Sequence, residues 1–255
     1  MNSNALIFVT FFLTSILSWG QEYELKLENK PIYFAIKTST SITVDGKMNE
    51  EAWNLAETRE LKYHYLSQHP MDKQKTTFRM LWDDNTLYLF YESEDKYLTA
   101  SETKRDGTPF LDDCAELFII PVPNSTSMHF CFEINLYEAK NDIVYFNDFY
   151  NGEDIVIKAF NPEYQVKVTT NGTINDNTDL DNGWTMELAI PLEAFRGSTH
   201  LHPLAQGTQW AFLAIRQERN EPEIGRRVMS TIFPIDNIST GAHQPNMFGI
   251  VEFVD

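Results

Sequence analysis

The stretch RDGTPFLDDCAELFIIP, from Arg105 to Pro121, sets an acidic pair, Asp112–Asp113, in front of an apolar run. From Ala115 to Ile120 the residues alternate as in a strand. Ala115, Leu117 and Ile119 take one face and Glu116 the other. A carboxylate inside such a run costs stability unless it meets water, a partner or a ligand. Phe110 places an aromatic at the strand's mouth, and an aromatic beside a carboxylate suits a polar, ring-shaped ligand such as a sugar. The plainer alternative is that Glu116 occupies a solvated sheet face, and the strand taken alone favours it.

Strand patterns continue in both directions. They cover Ile32–Lys37, Ser41–Val44, Thr76–Trp82, Leu87–Ser93, His129–Leu136, Ile155–Phe160, Tyr164–Thr170, Trp184–Ile190, Gln209–Arg216, Val228–Phe233 and Phe248–Phe253. Asp84-Asn85 joins two of them as a tight hairpin. One short N-terminal helix is expected at Glu50–Glu57, with Asn49 as its N-cap and Met48 stapled onto Trp53. Pro191–Phe195 fits a helical turn. The aromatics Tyr145, Phe146, Phe149 and Tyr150 fall among Asn and Asp residues and read as an irregular loop. Many short strands separated by turn signals predict an all-β, two-sheet antiparallel β-sandwich of the jelly-roll or immunoglobulin-like kind.

Residues 1–20 carry no charged side chain, and Ala5–Leu17 is apolar. Ser18-Trp19-Gly20 puts small residues at the cleavage positions of an export signal, with Gln21 as the new N-terminus. Residues 21–255 then form a single exported domain, periplasmic, cell-surface-associated or secreted. No later run reaches a membrane-spanning length of about 20 apolar residues. A net charge of −17 disfavours nucleic acid and anionic membranes as partners. Cys114 and Cys131 flank a turn at Pro121–Ser127, and a register setting them opposite each other would permit a disulfide in an oxidising compartment. Sequons stand at Asn124, Asn171 and Asn237.

The segments taken together resemble the family 9 carbohydrate-binding modules, within the wider group of DOMON-like sandwiches. Asp45-Gly46 with Glu50, Trp53 and Ala56 matches the family's opening. Arg79–Asp84 with Leu87-Tyr88 matches its hairpin, and Arg105-Asp106 with Asp112–Phe118 its central block. Phe132–Asn135, Gly183-Trp184 with Glu187 and Ile190-Pro191, Arg216, and His243–Pro245 with Phe248-Gly249 follow in order. The resemblance spans Val44 to Val254. It implies non-catalytic binding of a glycan or oligosaccharide on one sheet face, beside separately encoded glycan-active enzymes. The resemblance implies no cofactor other than a structural calcium, with Asp176, Asp179 and Asp181 as the acidic candidates; the spacing and closing glutamate of an EF-hand are missing, which favours a plain acidic turn there. The family's first aromatic platform falls on Phe110 and its glutamate on Glu116. A binding arginine falls on Glu133, which reverses the charge. The second platform falls near Ala242–His243, where no Trp stands. Phe110, Glu116, Glu133, Arg216 and His243 are therefore the candidate carbohydrate-binding residues.

Two rival readings use the same residues. Glu116 and Glu133 would serve a glycosidase as a carboxylate pair. A b-type haem carrier would draw its axial ligands from Met80, Met128, His129, Met229, His243 and Met247. Trp53, Trp82, Trp184 and Trp210 sit in regular elements and are expected in the core. A structural ion pair is the alternative role for Arg79 and Arg216.

Overall fold

A computed structural model describes residues 27–67, 73–123, 128–195, 204–221 and 226–255. The expected signal (residues 1–20), the new terminus Gln21 and the sequon at Asn124 lie outside these. Among the described residues no helix is long and apolar enough to cross a membrane.

The chain is all-β. Its strands are β1 (Ile32–Lys37), β2 (Arg59–Glu60), β3 (Tyr63–Tyr65), β4 (Thr76–Trp82), β5 (Thr86–Ser93), β6 (Cys114–Ile120) and β7 (Met128–Asn135). They continue as β8 (Lys140–Tyr150), β9 (Glu153–Ile157), β10 (Gln165–Asn171), β11 (Gly183–Pro191), β12 (Gln209–Glu221), β13 (Arg226–Thr231) and β14 (Gly249–Val254). Among the described residues the strands make one 14-stranded hydrogen-bonded sheet: eleven follow the path β10-β11-β5-β4-β1-β14-β12-β6-β7-β8-β9, with β13 on β12, β3 on β13 and β2 on β4. β1 runs parallel to both β14 and β4, so the sheet is mixed where a purely antiparallel sandwich was expected. The path folds on itself. Phe78 of β4 stacks on Phe212 of β12 at 5.9 Å. Across the same interior the Tyr91 hydroxyl of β5 donates to the Glu116 carbonyl of β6 at 2.7 Å. Trp53, Trp82, Trp184 and Trp210 are all buried, as their positions predicted.

The expected N-terminal helix is a single 3-10 turn, Glu51–Asn54, whose flanking Glu50 makes no side-chain cap. Four residues suffice because Trp53 is held from outside the turn: its indole N–H donates to Glu187 at 3.1 Å. The other oxygen of Glu187 accepts the backbone N–H groups of Asp45 and Gly46, both at 2.9 Å. Gly46 has φ +78°, where a side chain would be strained. The supposed loop after β7 is the strand β8, which pairs with β7 from Met128–Phe146 to Ile134–Lys140. Its Asn and Asp content hid the alternation.

Cys114 and Cys131 are free and buried. In the β6–β7 register Cys114 faces Asn135, and Cys131 faces Phe118. Four positions along a strand separate them by about 13 Å. A disulfide needs Cα atoms within about 7 Å, so this register removes the bridge.

Candidate functional site

Glu116 and Glu133 stand directly opposite each other on β6 and β7, on the sheet face opposite the one that carries Ala115 and Arg216. A polar row extends from them across five strands. Gln217 of β12 donates to Glu116 at 2.8 Å, and its own side-chain oxygen accepts from Arg227 of β13 at 2.7 Å. On the other side Asn141 of β8 donates to Glu133 at 2.6 Å. The row is not a shallow floor open to water, as the sequence had implied. Glu116 is 2 % and Glu133 4 % exposed, with Gln217 and Asn141 equally covered.

Burial dominates the chemistry of the pair. Desolvation pushes the Glu116 carboxyl up to about 7, against the pull of Arg227 and the Gln217 hydrogen bond. Desolvation and then the facing Glu116 charge push Glu133 up to about 8, while Asn141, Arg227 and Lys158 oppose the rise. Two carboxyls this close resist ionising together, so near neutral pH the pair holds a proton. It can then both donate to and accept from hydroxyl groups.

The other expected residues divide. Phe110 lies half-buried in a 3-10 turn, Pro109–Leu111, at the Cys114 end of β6. Arg219, on the same face, donates to the carbonyl oxygens of Phe110 and Leu111 and holds that turn against the sheet. His243 lies at the opposite end, stacked between Phe118 at 4.6 Å and Tyr145 at 3.9 Å. Phe110 and His243 thus bracket the carboxylates.

Arg216 does not join them. It points into the interior, fully buried, and pairs with Asp95 at 2.8 Å. It also donates to Thr76 and to the Glu94 carbonyl, while the Trp184 indole N–H donates to the same Asp95 carboxylate. The sequence alternative, a structural ion pair, describes it. The acidic pair that opens the central block is structural too. Asp113 accepts from the backbone N–H groups of Thr99 and Arg219, and Asp112 from Ser101, Glu102 and Asn135.

Gln217, Asn141 and Arg227 went unnoticed in the sequence. Alternation from the inward Arg216 would have put Gln217 on the outer face, whereas Asn141 was lost with the strand that carries it.

The acidic turn before Gly183 does not fit a calcium ion. Asp181 is buried and gives one oxygen each to the N–H groups of Thr173 and Leu98, while Asp176 accepts from Thr178. Haem ligation does not fit either. Met80 and Met229 are sealed in the core, and the His129 and His243 ring nitrogens lie 2.9 Å apart, with no space between them for a porphyrin.

The chain from 44 to 255 matches the profile of the carbohydrate family 9 binding domain-like family. No curated protein matches it. Among solved structures, a family 9 carbohydrate-binding module from Caldicellulosiruptor kristjanssonii in complex with cellotriose is similar at TM-score 0.60 and 18% identity. That likeness covers 88% of this chain and 94% of the module. The same module with glucose gives the same TM-score and identity, over 88% and 95% of the two chains. A candidate carbohydrate-binding protein from Bacteroides uniformis reaches TM-score 0.64 at 16% identity, over 88% and 99%.

Proposed function

The chain belongs to the carbohydrate family 9 binding domain-like family, and from that premise we propose that it binds glycan without cleaving it, on the outer face of β12, β6, β7 and β8. The observation that carries the reading is the row Arg227–Gln217–Glu116–Glu133–Asn141, in which every member holds a hydrogen bond along the sheet. Such a row is built to order hydroxyl groups at fixed spacing. The cellotriose and glucose complexes of similar fold support a neutral sugar as the ligand class. Charge supports it as well: one shared proton and the nearby Arg227 and Lys158 offset the two carboxylates, leaving little field to attract an ion. Binding without cleavage is the reading that the family supports, since its members are described as binding domains. As an exported module it would hold polysaccharide ends or oligosaccharides beside separate glycan-active enzymes.

Half-buried Phe110 is the sole aromatic platform in this reading. A single ring adds only about 1 kcal/mol beyond its area, so affinity is expected on the order of 0.1–1 mM. Titration calorimetry with cello-oligosaccharides and with a sulfated glycan tests the reading. Glu116→Gln should lose roughly 1.5–3 kcal/mol of binding to the neutral sugar, more than Phe110→Leu loses. Tight binding of the polyanion, unaffected by Glu116→Gln, would remove the site.

A further inference from the structure

We propose that His129, Cys131 and His243 form a binding site for a soft d10 metal ion, zinc(II) or copper(I), at the His243 end of the carboxylate row. One ligand atom from each, two ring nitrogens and the Sγ, lie within 4.8 Å of one another. The geometry comes from the fold. His129 and Cys131 are two apart on β7 and so project from the same face. His243 is carried in by the segment before β14, and its ring is fixed by stacking on Phe118 and Tyr145. Asn147 of β8 donates to the His243 carbonyl at 2.8 Å and anchors that segment.

The donor set selects the ion. Two imidazoles and a thiolate suit zinc and copper(I), whereas calcium and magnesium require oxygen ligands. His129 Nε2 and His243 Nδ1 stand 2.9 Å apart, joined by a hydrogen bond. Tetrahedral zinc at its usual bond lengths needs them about 3.3 Å apart. The rings therefore have to part by a few tenths of an ångström on binding.

Two unmet groups in the metal-free protein point the same way. His129 Nδ1 and the side-chain oxygen of Asn147 are buried beside each other, and neither makes a well-formed hydrogen bond. An ion on Nε2 fixes the tautomer that carries the proton on Nδ1, the usual arrangement of a ligating histidine. The Asn147 oxygen beside it is the acceptor for that proton.

Charge balances as well. On binding, the metal–sulfur bond replaces the S–H bond of Cys131, and the proton leaves to solvent. The thiolate alone neutralises copper(I). For zinc(II) the second negative charge is Asp154, which accepts from the Tyr145 hydroxyl at 2.5 Å and acts on His243.

Protein stripped with a chelator and kept reduced would be titrated with zinc, with copper(I) and with cobalt(II) as an optical probe, against a chromophoric competitor. One equivalent should bind, and cobalt should give a near-ultraviolet thiolate charge-transfer band. Cys131→Ser should abolish the band. Cys131→Ser and His243→Gln, each checked for folding by circular dichroism, should weaken binding more than about 100-fold, beyond the loss typical of an outer-shell change. Cys114→Ser, a buried thiol elsewhere on the same strand pair, should change neither. The zinc and copper arms identify the ion, and tight binding of either supports the site. No stoichiometric binding, or binding that keeps its affinity and spectrum in Cys131→Ser, overturns it.

Discussion

Glu116 and Glu133 are the residues at which stability and binding pull apart. Both carboxyls are raised by burial, so the folded protein holds protons there that the unfolded chain releases above about pH 4.5. The stability this contributes is complete below that pH and is lost as pH rises through about 7 and 8. Glu116→Gln removes the titration while leaving the side-chain oxygen that Gln217 addresses. The variant should melt higher than the wild type at pH 8.5, by up to a few kcal/mol, and about equally at pH 5, even as sugar binding falls. Equal melting shifts at both pH values would mean that the carboxyl is not desolvated. Arg216 gives the opposite result. Arg216→Ala leaves Asp95 buried without its cation and should cost roughly 3–5 kcal/mol, with calorimetric unfolding as the measure. Sequence alternation placed Glu116 correctly because one charged residue in an apolar strand has only two faces to choose from. It could not distinguish Arg216 from a ligand-binding arginine. That distinction rests on Asp95, in the segment after β5, and on Trp184 of β11.

At the scale of the element, the matching segments turn out to be fastenings. Asp45-Gly46, Trp53 and Glu187 come from two separate stretches of sequence, yet they meet at one carboxylate. Gly183 is required by contact, because a Cβ there would stand 2.0 Å from the Ser93 carbonyl oxygen. Such close approaches restrict residue type strongly, which is why the fold could be read from short motifs. The site could not be read to the same depth. Its row crosses five strands, and one of them, β8, has alternation blurred by Asn141, Asp142, Asn147 and Asp148. Register was equally hidden: nothing in the sequence says that Cys131 faces Phe118 and not Cys114. Two free thiols should therefore appear per chain when the denatured protein is alkylated without reductant and weighed. A mass two alkyl groups short would contradict the β6–β7 register. Trp82 tests β4. Its ring packs on Phe253 and its N–H donates to the Val254 carbonyl, so Trp82→Ala should cost roughly 3–5 kcal/mol. An unchanged melting temperature would be incompatible with that packing.

For the whole molecule, burial of carboxyl groups and net charge act in the same direction. Asp95, Asp113, Asp142, Glu116, Glu133 and Glu187 are all raised, with desolvation the largest cause in each. Folding therefore takes up protons, and stability falls as pH rises wherever the folded state binds more of them. His129 and His243 are lowered, mainly by burial, and above about pH 6.5 they are neutral in both folded and unfolded chains. They contribute no slope there, and only below that pH do they oppose folding. The net charge of −17 adds self-repulsion that grows as the remaining protons leave. The metal-free protein should consequently melt at a higher temperature at pH 6.5 than at pH 8.5. Salt separates the two causes, because it screens exposed charge far more than buried charge. Raising ionic strength to 1 M should narrow the difference without removing it. If the difference vanished in salt, surface repulsion would be its whole origin and the buried carboxyls would not be taking up protons. If melting rose with pH, the desolvated row between β12 and β8 would have to be open to water after all.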